Sequence, residues 1–217
     1  MPKKEVQRHG FTWEKELITN VYGATPDELR EIKYNSKMDL PAKFNRLDNC
    51  DLSVKTSGNH NTVCMGDCLR VFDSISRLVV VRYKQDDATQ TKKITDITEL
   101  DLTDSRELLF GTLSRSQIEE LDKAVKSVPQ KRKPTAEEHE KMYAIQKSLQ
   151  EFSGAIYLNI KCNSTQSRLQ CSFNRFQEFI DKNGARVVAT SSSGAFRGGS
   201  ISAEIKSSRR IFKKKPV

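Results

Sequence analysis

The segment D-L-S-V-K-T-S-G, residues 51 to 58, constrains the fold more than any other part of the chain. Its apolar and polar residues alternate and then reach a glycine, a pattern typical of a β-strand with one face on the core and one toward water. Side chains two residues apart share a face of a strand. We therefore expect Leu52 and Val54 to point inward, and Ser53 and Lys55 to point outward.

Two helices and an extended segment are predicted before this strand. The spacing of apolar residues over 11–21 predicts the first helix. Thr25, followed by proline and two acids, is a strong N-cap for a second helix that ends near Lys33. The next segment, K-M-D-L-P, should be extended, because the residue before Pro41 is disfavoured in the α region.

The rest of the chain alternates predicted helices and strands, which indicates an α/β fold with a β-rich C-terminal part. In order, the patterns predict a helix from about 67 to 74, a strand over 78–83, a strand or hairpin over 92–102, helices over 114–128 and 135–152, paired strands over 155–162 and 168–173, a short helix ending near 180, a strand over 186–190 and a weakly alternating segment over 200–205. Residues 191–199, rich in serine and glycine, are expected to form a flexible loop.

Composition limits the class of protein. The 217 residues are 36% hydrophobic, enough for the core of one domain. No apolar run reaches the roughly 18 residues of a membrane span, and the N-terminus does not resemble a secretory signal. We expect a protein that is soluble and intracellular, in the cytoplasm or nucleus, with no membrane partner.

The five cysteines are expected to be reduced thiols, since their number is odd and no secretory signal accompanies them. Cys50, Cys64 and Cys68 do not form a C-x2-C pair and have no histidine at ligand spacing. Free thiols are therefore favoured over a zinc site.

Charge is distributed unevenly along the chain. The net charge is +9, and residues 195–217 contain seven basic residues and one acid. Residues 86–122 contain ten acids and four bases. A basic excess at one end favours a polyanionic partner such as nucleic acid, although a solvated tail or a nuclear-import signal gives the same pattern.

Acidic residues on either side of the central strand predict either a Mg²⁺ site that holds an attacking water or an ordinary solvated strand face. Asp39 precedes the strand, Lys55 lies on it and Asp67 follows it. Mg²⁺ is bound by one or two carboxylates together with waters and phosphate oxygens. The two aspartates would hold Mg²⁺ with the carbonyl of Val54 as a further oxygen ligand, and Lys55 would orient or deprotonate a water or stabilise developing charge.

These residues resemble a known family. K-M-D-L-P, L-S-V-K-T-S-G and M-G-D-C-L-R, within residues 37 to 72, look like the PD-(D/E)XK superfamily of metal-dependent nucleases, and more narrowly like type II restriction endonucleases and their viral relatives. The resemblance implies a restriction-endonuclease-like fold, in which a mixed central sheet is flanked by helices, and Mg²⁺-dependent cleavage of DNA.

The chain departs from the family pattern at Ser53, which stands where the second carboxylate is expected. A subset of the superfamily has Ser-x-Lys there and takes the acid from the following helix. By that resemblance, Asp67 replaces the missing carboxylate, and the catalytic set is Asp39, Ser53, Lys55 and Asp67.

Other acids are alternatives to this set. Asp51 shares a strand face with Lys55 but lies about 13 Å from it along the strand, so Asp39 is preferred as the first acid and Asp51 is the backup. Glu14 or Glu16 on the first helix would complete an acidic cluster, against the simpler interpretation of an exposed helix acid.

Several polar and basic residues are candidates for DNA binding. Asn163, Gln166 and Arg168 surround a turn and carry groups suited to base edges. Arg197 lies in the glycine-rich segment, where small residues allow close approach to phosphates. The C-terminal tail, with Arg209 and Arg210, would add salt-dependent phosphate affinity.

The resemblance therefore implies a sequence-specific, Mg²⁺-dependent endonuclease of the type II restriction kind, acting on double-stranded DNA. Residues 1–217 are expected to form one nuclease domain, with a catalytic core at about 11–110, a DNA-recognition part at about 111–205 and a basic tail at 206–217. A homodimer is expected because two strands must be cut, and a DNA methyltransferase is the implied companion. A non-catalytic nucleic-acid-binding protein and a structure-specific repair nuclease or resolvase are the alternatives.

Overall fold

The structure is a computed structural model that describes residues 8–32, 38–58, 61–129, 132–163 and 166–206. Its α-helices are α1 (Arg8–Glu16), α2 (Pro26–Glu31), α3 (Cys68–Ser74), α4 (Arg106–Phe110), α5 (Arg115–Lys126), α6 (Ala136–Gln150) and α7 (Phe176–Lys182). A π-helical turn, Leu17–Val21, continues α1, and short 3-10 helices lie at Ala42–Phe44 and Gly184–Arg186. Its strands are β1 (Leu52–Ser57), β2 (Val63–Asp67), β3 (Arg77–Asp86), β4 (Thr91–Asp101), β5 (Ile156–Asn163), β6 (Gln166–Phe173), β7 (Val187–Ser191), β8 (Ala195–Phe196), β9 (Gly199–Ser200) and β10 (Glu204–Lys206).

The chain divides into two compact units, each made of segments that are separate in sequence. The first unit takes its residues from 1–59, 78–100 and 187–217, and the second from 60–77 and 101–186. The predicted division near residue 110 does not coincide with these boundaries. Its assignment of a catalytic and a recognition part stays a prediction about function.

The first unit is built on a five-stranded sheet. Its strands run in the order β1-β3-β4-β10, and β7 also pairs with β4, beside a different stretch from β10. Strand β3 lies inside the sheet, and its residues Leu78, Val79, Val80 and Val81 are fully buried. The apolar run over 78–83 predicted such a doubly covered strand, and this prediction is confirmed.

The second unit contains a three-stranded antiparallel sheet in the order β2-β6-β5. Helices α5 and α6 pack against β6 and β5 on one face of this sheet. Two polar bonds tie the layers together: Gln146 Nε2 donates to the Leu158 carbonyl, and Ser167 Oγ donates to the Val128 carbonyl, both at 2.8 Å.

Three of the predicted helices begin where local sequence patterns placed them. Thr25, Ser114 and Thr135 cap α2, α5 and α6, and each forms a reciprocal capping box with the residue three positions later. Such a cap is decided by neighbours in sequence, so local patterning is sufficient to locate it.

The flexible loop predicted over residues 191–199 is wrong. Strands β8 and β9 form a hairpin there, and Phe196 is buried. The glycines serve internal packing: a Cβ on Gly199 would lie 2.3 Å from the Asn20 carbonyl oxygen, and one on Gly194 would lie 2.1 Å from that of Ile201. Helix α4 was not predicted, because its five residues are too short to give a helical repeat.

The fold class is mixed α/β, with a mixed sheet flanked by helices, as the sequence predicted at this coarse level. Within the described part of the chain, no helix combines the length and the apolar character that crossing a bilayer requires.

Candidate active site

Strand β1 is fixed to the segment that carries Asp39. Leu40 and Leu52 form an antiparallel bridge, in which Leu52 N–H donates to the Leu40 carbonyl at 2.8 Å. The Asp39 N–H donates to the Leu52 carbonyl at 3.0 Å. Leu52 and Val54 are buried as predicted, so Ser53 and Lys55 lie on the opposite face, beside Asp39.

Three donors converge on one carboxylate oxygen of Asp39. Its Oδ2 accepts hydrogen bonds from Ser53 Oγ at 3.0 Å, from the Val54 N–H at 2.6 Å and from Lys55 Nζ at 3.0 Å. The tripeptide Ser53-Val54-Lys55 thus surrounds one oxygen with a hydroxyl, an amide and an ammonium group. The structure brings together the predicted residues Asp39, Ser53, Val54 and Lys55.

The Lys55 ammonium lies between two oxygens. Nζ donates to Asp39 Oδ2 and also to the Val54 carbonyl, each at 3.0 Å. The side chains of Lys55 and Asp39 are 23% and 28% exposed, so the pair is half-buried yet reachable from solvent. An ammonium held in this way can donate to a bound anion without leaving its carboxylate partner.

Glu14 joins this cluster from α1. Burial and, to a smaller extent, the Asp39 carboxylate raise the pKa of its carboxyl, Lys55 opposes the shift, and the net result is a rise from 4.5 to about 7. The sequence contains a signal for this burial. Glu14 stands three, four and seven residues before Leu17, Ile18 and Val21, and residues at these spacings share the buried side of a helix. The interpretation of Glu14 as an exposed acid is therefore wrong.

Glu16 has a different role. Its carboxylate accepts hydrogen bonds from the Ser202 N–H at 2.6 Å and from Ser202 Oγ at 2.9 Å. These bonds hold the chain that leads into β10.

The two remaining candidate acids cap local structure. Asp51 Oδ1 accepts from the Ala42 N–H at 2.8 Å and so holds the start of the short 3-10 helix. Asp67 lies in the second unit, where its Oδ1 accepts from the Arg70 N–H at 3.0 Å as the N-cap of α3. A catalytic role for Asp67 stays a prediction.

The candidate DNA-binding residues fall in both units. Asn163 and Gln166 pair at the end of the β5–β6 hairpin, where Asn163 Oδ1 accepts from the Gln166 N–H at 3.2 Å. Arg168 is exposed on β6. Arg209 and Arg210 lie outside the described residues.

Arg197 belongs to an ionic network of the first unit that the sequence did not predict. Its guanidinium donates to both oxygens of Asp48, at 2.6 and 3.0 Å, and to both oxygens of Glu99, at 2.9 Å. Glu99 is fully buried, and Arg197 is 18% exposed. Burial and the neighbouring Glu99 raise the pKa of Tyr22 above its ordinary value. A phosphate contact by Arg197 stays a prediction, but its donors already have two carboxylate partners.

The cluster around Lys55 contains oxygen atoms of the type that bind hard cations. It offers the carboxylates of Asp39 and Glu14 and the carbonyl of Val54, and two of these oxygens already hold the positively charged Nζ. Mg²⁺ takes one or two carboxylates and keeps several waters. Among the described residues, no cluster of three or more acidic, histidine or cysteine side chains could hold a metal ion. Any metal here therefore needs waters or substrate oxygens as further ligands.

Comparisons of the chain with protein-family models, curated proteins and solved structures gave no match.

Proposed function

We propose that the protein is a Mg²⁺-dependent DNA endonuclease of the PD-(D/E)XK type, with the Ser-x-Lys variant of the motif. One observation carries the proposal: Lys55 Nζ and the Val54 N–H both bind Asp39 Oδ2 on a half-buried strand face, with the raised-pKa carboxyl of Glu14 beside them. The restriction-endonuclease-like form of the mixed sheet is part of the same proposal.

The residues of the cluster have separate roles in the proposed reaction. Asp39 holds Lys55 in place, and Lys55 donates from Nζ to the attacking water or to the phosphoryl oxygen that gains charge. Ser53 and the Val54 N–H fix the orientation of the Asp39 carboxylate. Asp39, Glu14 and the Val54 carbonyl would hold Mg²⁺, which when bound polarises the phosphate and lowers the pKa of its water.

Glu14 changes the assignment of the second carboxylate. Ser53 leaves that position without an acid, and Glu14 brings one to the same cluster from α1. We therefore place Glu14 before Asp67 as the second acid, and Asp67 remains the alternative.

The proposed substrate is double-stranded DNA cut at a specific sequence, as in type II restriction enzymes. Two strands must be cut, so a homodimer is part of the proposal, and a DNA methyltransferase would protect the genome of the same cell or virus. The net charge of +9 supports a polyanionic substrate.

The test is digestion of unmethylated phage DNA with the purified protein, in Mg²⁺ and in EDTA. The test variant is Lys55→Met, and the matched control is Lys84→Met, which removes an exposed lysine from β3 of the same unit. We expect discrete Mg²⁺-dependent fragments from the wild type and the control, and at least about 100-fold slower cleavage by Lys55→Met. Melting curves would verify that both variants fold.

Three other results would count against the proposal. A band shift of DNA without cleavage, equal in Lys55→Met, would leave a non-catalytic binding protein. Cleavage confined to branched DNA would indicate a structure-specific repair nuclease. Cleavage that is insensitive to Lys55→Met would overturn the assigned site.

A further inference from the structure

The β5–β6 hairpin extends past its neighbouring strand as a two-stranded ribbon. Strand β2 pairs with β6 only from Phe173 to Gln170. The pairing of β5 with β6 continues beyond that point to Asn163 and Gln166. The end of the hairpin therefore has the width of two strands.

The two faces of this ribbon differ in character. One face is turned toward the helices of the second unit, where Ser167 donates to the Val128 carbonyl and Leu158 and Leu169 are buried. Strand side chains alternate between faces. Lys161 and Arg168 therefore lie on the other face, and both are exposed.

Lys161 and Arg168 stand directly opposite each other in the register. Like charges at directly opposed positions destabilise a sheet. Within the part of the chain that the structure describes, neither forms an ion pair with a carboxylate. A pair of like charges that lowers stability without strengthening the fold is expected at a functional surface. A bound anion would relieve the repulsion between Lys161 and Arg168.

Amide side chains lie on either side of this basic pair. Asn159 is paired with Gln170 on one side and Asn163 with Gln166 on the other, all on the same face. In the amide orientation that satisfies both of its polar atoms, the Gln170 oxygen accepts from Arg168 Nε and Nη2 at 3.3 Å, which orients the guanidinium. Gln170 itself is buried, so the amide groups that this face presents beside the basic pair are those of Asn159, Asn163 and Gln166, each half-buried.

We infer that this face of the hairpin, centred on Lys161 and Arg168, enters the major groove of duplex DNA and contacts base edges. The inference rests on the proposed function, to which it adds the mode of substrate binding. The major groove is about 12 Å wide and admits a two-stranded β-ribbon, and Arg or Lys on guanine and Asn or Gln on adenine are its commonest specific contacts.

The spacing of the ribbon suits that groove. Residues two apart on a strand are about 6.8 Å apart, which matches about two base-pair steps of about 3.4 Å. The stretch from Asn159 to Asn163 then covers about four base pairs. A sheet that binds single-stranded RNA would use stacked aromatics instead, and the exposed aromatic of this face is Tyr157, away from the ribbon end.

The test compares two double variants with the same change in charge. The ribbon variant is Lys161→Gln with Arg168→Gln. The control is Lys141→Gln with Lys147→Gln, which changes exposed residues of α6, the helix that packs on the opposite face of the sheet. Binding would be measured by fluorescence anisotropy in EDTA, with a 30-base-pair duplex of mixed sequence and with a single-stranded 30-mer.

We expect the ribbon variant to bind the duplex at least about tenfold more weakly than the wild type, and the control to remain within about threefold. The melting temperature of the ribbon variant should be equal or higher, because the variant removes a repulsion. Protection of guanine N7 from dimethyl sulfate, a major-groove probe, should be present with the wild type and lost with the ribbon variant.

The inference is overturned if the two double variants bind the duplex equally, if N7 protection survives in the ribbon variant, or if the wild type binds single strands as tightly as duplex. None of these readouts depends on cleavage. If the ribbon variant binds DNA more weakly but the wild type does not cleave it, only the proposed nuclease activity is rejected. If the wild type cleaves DNA but the ribbon variant binds as tightly as the control, only the proposed role of the ribbon is rejected.

Discussion

At the level of single residues, Glu14 is the most sensitive probe of the candidate site. Its pKa of about 7 lies above the ordinary 4.5 because the carboxyl is buried beside Asp39. A carboxyl whose pKa is higher in the folded than in the unfolded chain binds its proton more tightly when folded. Its stabilising contribution is therefore complete below about pH 4.5 and is lost as the pH rises through about 7.

The prediction concerns Glu14→Gln, which keeps the shape of the side chain and removes the titration. Between pH 5 and pH 8 in EDTA, the wild type should lose up to roughly 3 kcal/mol of unfolding free energy relative to the variant. Urea unfolding of both proteins at the two pH values measures this difference. A difference that does not change with pH would contradict the assigned environment of Glu14.

Asp39 gives a second prediction at this level. Asp39→Asn keeps an oxygen for the Val54 N–H but removes the charge that holds Lys55. Cleavage should fall by at least about 100-fold, while Asp51→Asn, an acid that caps a 3-10 helix instead, should retain most of it. Rates of plasmid nicking in Mg²⁺ measure both effects. Loss of cleavage in Asp51→Asn with little loss in Asp39→Asn would contradict the assignment and favour Asp51 as the first acid.

At the level of elements, the β8–β9 hairpin is held by charge. Arg197 lies in the turn of this hairpin, with a positive φ of 47°, and its guanidinium binds Asp48 and the fully buried Glu99. Removing one partner of a buried ionic group leaves an uncompensated charge. Arg197→Met should therefore cost about 3–5 kcal/mol of unfolding free energy.

The exposed pair formed by Arg115 and Asp73 provides the control for that experiment. The Arg115 and Asp73 side chains are 50% and 33% exposed. Arg115→Met should cost at most about 1 kcal/mol. Urea unfolding of the two variants compares the costs, and similar small values would mean that the Arg197 network contributes little to folding.

Gly199, in the same hairpin, gives a further prediction about stability. Gly199→Ala would place a methyl group 2.3 Å from the Asn20 carbonyl oxygen, whereas a Cβ on Gly184 meets nothing within 4 Å. We expect a cost of about 1–3 kcal/mol for Gly199→Ala and much less for Gly184→Ala. Thermal unfolding measures both. Equal stability of the two variants would restore the flexible loop predicted from the sequence.

Features of these elements that depend on neighbouring residues were predicted from the sequence, whereas contacts between residues far apart in the chain were not. Thr25 was predicted as a cap, and helices were predicted to begin at 114 and 135, because the groups that a cap satisfies lie within three residues of it. The alternation over 51–58 placed Lys55 and Ser53 on one face for a similar reason. The bonds of Arg197 to Asp48 and Glu99 span 149 and 98 residues, so no local pattern announces them. The close approach of Gly199 to Asn20 likewise depends on the assembled fold.

At the level of the whole molecule, the net charge of +9 would govern the long-range attraction of the proposed DNA substrate. Five of the basic residues that make up the excess lie after Lys206, in R-R-I-F-K-K-K-P-V. Each phosphate that a basic residue neutralises contributes about 0.9 to the slope of log affinity against log salt concentration. Removing these five would lower that slope by up to about 4.5.

The final prediction therefore concerns a chain ended after Lys206. It should bind a 30-base-pair duplex more weakly at 50 mM NaCl, with a flatter salt dependence, because it has lost phosphate contacts rather than base contacts. Protection of guanine N7 at saturating protein should persist, since Lys161 and Arg168 are retained. Anisotropy titrations between 50 and 200 mM NaCl measure the slope. An unchanged slope would mean that the tail does not contact DNA, and the attraction would then arise from the folded units.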